Sequence, residues 1–330
     1  MRIKRLSVLL VAVALLSTAC GGGDDGSTSS QPGGTAEQKQ YRIKVGTLRQ
    51  PHLFAPAFYE KFLPANVKME TVLFANSTEI KTAVVTGSVD FAVTGITAAL
   101  EGAAQDEPFR VLASAADGAS AIVAKTGKGI KTVADLKGKK IGYVVGSAQD
   151  ILLRLTLRDA GLDADKDVEL VKVAFSDMAN ALDRGDIDAF SGAETGPSDA
   201  LTRGIADLVV HPYATKMKMI NIVFGSSQAT IDKDPELVRT MVDVHARATD
   251  YMKAHPDEWA AGVVKAYNFP AQSLALALKN IELRWAVDDA YIAQTRVLGE
   301  QLELLKQIKK QPDYKAFFNT DFVTPLMKAR

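Results

Sequence analysis

Ala83-Val84-Val85-Thr86-Gly87-Ser88-Val89-Asp90-Phe91-Ala92-Val93-Thr94-Gly95 reads as the end of a helix, a tight glycine turn and a short apolar strand. Ninety-eight residues further on the chain repeats the pattern as Ala181-Leu182-Asp183-Arg184-Gly185-Asp186-Ile187-Asp188-Ala189-Phe190-Ser191-Gly192. Gly185 answers Gly87, Ile187 answers Val89 and Asp188 answers Asp90. A Gly-x-apolar-Asp match by itself is weak, but what precedes each copy also matches. Val72-Leu73-Phe74-Ala75-Asn76-Ser77-Thr78 leads into the first copy and Leu170-Val171-Lys172-Val173-Ala174-Phe175-Ser176 into the second, each as a strand opening onto a helix.

Further upstream each half opens alike. Arg42-Ile43-Lys44-Val45-Gly46-Thr47 is an alternating strand followed by a helical pattern around residues 54–62. Lys140-Ile141-Gly142-Tyr143-Val144-Val145-Gly146-Ser147 is another, followed by a helix over 148–160 that Gly161 ends. Strands alternating with helices predict sheets rich in parallel pairs and covered by helices, and two copies predict two similar α/β lobes. The apolar runs 111–116 and 121–124, parted by Asp117-Gly118-Ala119-Ser120, and the run 220–224 read as two crossings between lobes. Beyond them the chain turns helical, with Asp234-Pro235-Glu236 opening one helix and Pro placed in its first turn. The expected division is a first lobe from 41–121 and 222–330, including a helical tail packed on it, and a second lobe over 122–221.

The N-terminal end carries a different message. Arg2, Lys4 and Arg5 precede a mostly apolar stretch over 6–16 and then small residues up to Cys20, the order of a secretory signal over 1–20. The apolar part covers about half of the roughly 20 residues a membrane span needs. Cys20 is the sole cysteine, so no disulfide framework is possible. Leu16-Ser17-Thr18-Ala19-Cys20 resembles a bacterial lipobox, which makes Cys20 the candidate lipidation site; a plain signal that happens to hold a cysteine is the alternative. Residues 21–40 are Gly, Ser, Asp, Thr and Gln with almost nothing apolar, a flexible tether that cannot bury a core. Lys plus Arg and Asp plus Glu each number 39 and the basic residues are dispersed, so no nucleic-acid partner is expected.

Taken together, Thr86 to Gly95, the stretch Lys131-Thr132-Val133-Ala134-Asp135-Leu136-Lys137-Gly138-Lys139-Lys140-Ile141 and Asp234-Pro235-Glu236-Leu237-Val238 resemble the bacterial periplasmic-binding-protein family that includes aliphatic sulfonate, taurine and nitrate binders and binders of thiamine pyrimidine precursors. The resemblance runs over about 41–323 and is specific for fold rather than ligand. It implies the type 2 periplasmic-binding-protein fold, a cleft that closes on a small molecule, and an ABC permease with its ATPase as partners. With the signal and Cys20, the expected place is the outer face of the cytoplasmic membrane, held there by lipid, and the expected state is a monomer without cofactor.

In such sheets ligands sit beyond the carboxyl ends of strands, near helix N-termini. That selects Thr47, His52, Asn76, Ser77, Thr78, Thr94 and Thr97 in the first lobe, and Ser147, Ala148, Gln149, Ser176 and Glu194 in the second. Asn76, Ser77 and Ser147 also read as helix caps, the weightier role for any one of them alone. Thr94 and Thr97 divide evenly between pocket and turn. His52 reads by default as a loop histidine, and the four histidines show no metal-ligand spacing. Relatives often carry an aromatic residue in this strand-end segment, but here 191–197 has none and offers Glu194; a carboxylate facing the cleft would favour an amine or N–H donor and repel sulfonate or nitrate, whereas a solvated rim position would do neither. Phe54, Phe74 and Phe175 are stacking candidates that read more simply as core.

A binding protein is the first reading and an enzyme on the same fold acting on a small heterocyclic metabolite the second. No Walker loop, nucleophile elbow, His-Glu-x-x-His or cysteine pair occurs, so no catalytic residue and no metal ligand is named.

Overall fold

The computed structural model describes residues 39–330. The candidate signal with Cys20, and all of the candidate tether but its last two residues, lie outside them. In chain order the elements are β1 (Tyr41–Leu48), β2 (Val67–Phe74), α1 (Ser77–Val85), β3 (Phe91–Gly95), α2 (Ile96–Ala103), β4 (Phe109–Gly118), β5 (Ser120–Lys125), β6 (Lys140–Tyr143), α3 (Ala148–Asp159), β7 (Glu169–Lys172), α4 (Met178–Arg184), β8 (Ala189–Ala193), α5 (Gly196–Thr202), β9 (Ala206–Val210) and β10 (Ile220–Ser227). The tail adds α6 (Gln228–Lys233), α7 (Pro235–Ala254), α8 (Pro256–Tyr267), α9 (Ala271–Ala277), β11 (Ile281–Leu283), α10 (Asp289–Leu304), α11 (Tyr314–Phe317) and α12 (Val323–Ala329).

The strands form two sheets, ordered β11-β4-β10-β3-β1-β2 and β7-β6-β8-β5-β9. The duplication is visible in them: β2-β1-β3 in one matches β7-β6-β8 in the other, all in parallel. The fourth strand of each sheet, β10 or β5, is antiparallel to its neighbours. It is also the strand by which the chain arrives from the other sheet, so both sheets are mixed, and each switches direction where a crossing enters. The α/β class with two similar lobes is as the repeated pattern predicts.

The repeated motif has one physical purpose in both halves. Gly87 and Gly185 take φ of +74° and +83°, a left-handed turn that glycine adopts without a Cβ penalty, and Val89 and Ile187 are buried. The aspartate then anchors the next strand to the opening one: Lys44 N–H donates to Asp90 Oδ2 at 2.8 Å and Lys140 N–H to Asp188 Oδ2 at 3.0 Å. In the reverse direction Asp90 N–H and Asp188 N–H donate to the carbonyls of Lys44 and Lys140 at 2.9 and 2.8 Å.

The largest core joins the first sheet to the tail, through Phe91, Phe109, Phe224, Met241, Val263 and Leu298 among others. The second sheet has a core on each face, with Val123 and Phe190 on one and Ile122 and Ile141 on the other, the period-two alternation of a sheet covered on both sides. α7 begins at Pro235 with Asp234 accepting from Leu237 N–H at 3.1 Å, and α10 begins with Asp288 accepting from Tyr291 N–H at 2.7 Å.

The helical pattern around 54–62 takes another form. The segment is two 3-10 turns, Pro51–Leu53 and Ala55–Lys61. Pro56 brings no N–H and its ring clashes with the carbonyl four residues back, so a helix begun at Pro51 cannot run on through it and the segment divides in two. The chain passes from one sheet to the other through Gly118 and Ala119, at φ +80° and +60°, and returns over 211–219.

Candidate functional site

The loops at the carboxyl ends of β1, β2, β3 and β6 meet between the lobes. They bring three helix N-termini to one narrow cavity of about 30 Å³: α1 through Asn76, Ser77 and Thr78, α2 through Gly95, Thr97 and Ala98, and α3 through Gly146, Ser147 and Ala148. Each N-terminus offers unpaired N–H groups and a partial positive charge. His52, Gln50, Gln149, Asn221 and Phe175 complete much of the wall, and among the described residues no Lys, Arg, Asp or Glu lines it.

Two wall atoms have no partner among the described residues. His52 is 3 % exposed with Nδ1 unbonded, and Thr97 is 1 % exposed with Oγ1 unbonded. Burial pushes the imidazole of His52 down to about 3, so it is neutral at physiological pH. A buried polar atom left unpaired costs on the order of 1–3 kcal/mol, and both stand where a bound molecule would reach them.

The other sequence-predicted positions divide by what already occupies them. Thr47 Oγ1 donates to the Leu53 carbonyl at 2.8 Å and Thr94 Oγ1 to the Ser77 carbonyl at 3.4 Å, and neither lines the cavity. Asn76 accepts from Glu79 N–H at 2.9 Å and Ser147 from Asp150 N–H at 3.1 Å, so each caps its helix while facing the cavity. Ser77 Oγ accepts from Gly95 N–H at 3.1 Å, tying α1 to the start of α2. Gln149 Nε2 donates to Ser120 Oγ at 2.9 Å, which ties α3 to the crossing, and the backbone carbonyl of Gln149 accepts from Ser191 Oγ on β8 at 2.8 Å. Thr78 and Ala148 reach the cavity through the first turns of α1 and α3.

Ser176 and Glu194 line a second cavity of about 320 Å³, which shares Gln50 and Phe175 with the first. Its wall mixes Phe175, Phe269 and Pro270 with Arg49, Glu194 and Asp199. Arg49 donates to the Tyr267 carbonyl at 2.9 Å and makes no ion pair among the described residues. Glu194 is 2 % exposed and is not a solvated rim residue. Its Oε1 accepts from Asn280 Nδ2 at 3.1 Å and its Oε2 from Ser198 N–H at 3.3 Å, while Tyr213 Oη donates to Asn280 Oδ1 at 2.7 Å. Glu194 therefore belongs to the network beside the crossings as well as to the cavity wall.

Phe54 packs edge-on against Phe58 and Tyr267 in the core, and Phe74 lines neither cavity; of the three stacking candidates Phe175 faces the cleft. Asn221 and Gln50 are wall residues that the sequence reading did not single out. Asn221 carried a signal, a polar side chain in the otherwise apolar strand Ile220–Phe224, and it donates to the Gly118 carbonyl at 2.7 Å. Among the described residues no group of three or more His, Cys, Asp or Glu gathers, and no helix is long and apolar enough to cross a membrane.

Residues 60–259, well over half of the chain, match the family model described as NMT1/THI5 like. The chain belongs to the NMT1/THI5-like family. Among curated proteins, one of Brucella abortus (strain 2308) named as a binding protein is 30 % identical over 155 residues, 46 % of this chain and 48 % of that one. The chain spans about half the length of the curated relatives it first matches. Among solved structures, the alkanesulfonate-binding protein SsuA from Xanthomonas axonopodis pv. citri superposes with a TM-score of 0.76 at 17 % identity, over 86 % of this chain and 99 % of that one. The desulfurization enzyme DSZB superposes with a TM-score of 0.68 at 18 % identity, over 88 % and 100 %. At those identities the two superpositions establish the periplasmic-binding-protein fold for this NMT1/THI5-like chain and nothing about its ligand.

Proposed function

We propose that this protein captures a small solute between its two lobes by closing the cleft on it, and that it is the exported binding component of an ABC importer, held at the membrane through Cys20. The observation that carries the binding reading is the pair of unbonded atoms, His52 Nδ1 and Thr97 Oγ1, in a cavity where three helix N-termini meet. Strand membership supports a first lobe over about 41–121 and 222–330 and a second over about 122–221. The names of its relatives, binding proteins for the most part, agree with this reading.

The solute has a small polar head and a larger body. A cavity of about 30 Å³ holds little more than a water or two, so it accepts only a compact head group, one that takes hydrogen bonds from Thr97 and the helix amides. An anionic head satisfies three helix N-termini without a cationic side chain. The body extends past Phe175 into the cavity of about 320 Å³. There Arg49 suits an acidic group and Glu194 an amine or ring N–H.

An enzyme acting on a small heterocyclic metabolite competes with this reading, because the fold is shared with DSZB and because a neutral imidazole stands in the cavity. A base held near 3 is, however, a weak proton acceptor at neutral pH, which favours binding over turnover.

A thermal-shift panel on the full chain in detergent, run against sulfonates, taurine, nitrate, pyrimidines, amines and amino acids, tests the proposal. A true ligand at a hundred times its Kd adds about 2.7 kcal/mol and is recovered unchanged. Recovery of a converted product supports the enzyme reading, and a flat panel counts against capture of these classes.

A further inference from the structure

Glu101 stands one helical turn beyond Thr97 on α2, in the first lobe, and its carboxylate is pressed against the second. A Cβ built on Gly146 would lie 3.4 Å from Glu101 Oε2 and 3.7 Å from Oε1, ordinary contact distances, so the carboxylate lies directly beside the Gly146 backbone. Gly146 also donates its N–H to Asp150 Oδ2 at 3.1 Å. One glycine at the edge of the cleft is thus flanked by two carboxylates, one from each lobe.

The neighbouring cations are already matched. From α1, Lys81 pairs with Glu107 at 2.6 Å. From α3, Arg154 pairs with Asp150 at 2.8 Å and with Asp165 at 3.1 Å. Glu101 Oε1 is buried and makes no hydrogen bond among the described residues. An ionised carboxylate in that position is desolvated, faces a like charge on Asp150 and has no cation of its own; a protonated one escapes both costs. Burial first and Asp150 second push Glu101 up to about 7, with Lys81 acting in the opposite sense. Burial pushes Asp150 up as well, against the pull of Arg154.

We propose that closing the cleft takes up a proton at Glu101, so that capture is proton-linked. This rests on the reading of the cleft as one that opens and closes. In the open arrangement Glu101 moves away from Gly146 and Asp150 into water and ionises as an ordinary glutamate. Closure then costs nothing extra in acid and is opposed as the pH rises toward 7.

The test needs no cargo, so its failure is separate from a failure of the ligand panel. The full chain carrying Cys20→Ser receives spin labels at Lys68→Cys and Lys172→Cys. These are exposed positions on β2 and β7, the outer strands of the two sheets, so the distance between them reports the opening angle. From pH 5 to 7 the ratio of closed to open molecules is expected to fall by up to about tenfold per unit, and to level off above 7. Glu101→Gln is expected to stay at the acid-side distribution throughout, and Glu101→Asp to keep a titration. A wild-type distribution that ignores pH overturns the proposal, and so does a Glu101→Gln protein that titrates like wild type.

Discussion

Asp90 and Asp188 do the same work 98 residues apart, each carboxylate accepting a backbone N–H of the neighbouring strand. A hydrogen bond to a charged acceptor contributes roughly 1.5–3 kcal/mol, reduced here by partial exposure. Replacing either aspartate by alanine is expected to lower stability by about 1–2 kcal/mol in denaturant unfolding, with the two losses adding because the sites share no partner. Thr97 behaves in the opposite way, since its hydroxyl has no partner among the described residues. Thr97→Val should leave stability unchanged or raise it by up to about 1 kcal/mol, while weakening solute binding about tenfold. A Thr97→Val protein that loses stability yet binds as before would show that the hydroxyl serves the fold. Glu194→Ala is expected to weaken a cationic or N–H-donating solute and also to loosen the contact to Asn280; unchanged affinity would remove Glu194 from the wall's chemistry.

At the scale of elements, the caps decide where the cleft lies. Ser147 starts α3 by accepting from Asp150 N–H and holds its own loop by donating to the Val144 carbonyl at 2.7 Å. Ser147→Ala should cost about 1 kcal/mol, and because the same turn carries Gly146 into the cavity wall, binding should weaken with it. Calorimetry and thermal shift on one sample separate the two effects. Much at this scale is legible in the sequence: Asn76, Ser77 and Ser147 stand at helix starts and on the cavity wall at once, as strand-helix patterning predicts. The turns over 51–61 are not legible in the same way, because apolar spacing alone does not register Pro56, which divides the segment in two.

Over the whole molecule, pH acts on stability through groups buried in different places. His245 bridges Tyr59 Oη at 2.7 Å and the Ser114 carbonyl at 2.8 Å, and burial lowers it from 6.5 to about 4. His52 is lowered to about 3 in the same way. Below pH 6.5 the unfolded chain binds protons at these histidines that the folded chain refuses, so each should reduce stability by up to about 1.4 kcal/mol per unit as the pH falls toward 4. Glu101 has the opposite sign between its ordinary 4.5 and about 7, where the folded chain holds the extra proton. Denaturant unfolding from pH 4 to 7 should therefore show a steeper acid loss in Glu101→Gln than in wild type, and a shallower one in His245→Gln whatever its absolute stability.

The chain by itself determined the α/β class, the doubling of the lobes and the helix starts beyond the strand ends. These rest on local periodicity, glycine turns and capping residues, which neighbouring residues fix before any long-range contact forms. Only the tertiary structure decided which of those strand-end residues remain free. Thr47 and Thr94 are spent on backbone carbonyls, Glu194 is held by Asn280 from 86 residues away, and His52 and Thr97 are left unpaired. The facing of Glu101 and Asp150 across Gly146 belongs to the same class. Hydrogen-bond satisfaction and desolvation depend on groups distant in sequence and brought close in space, and no local pattern records them.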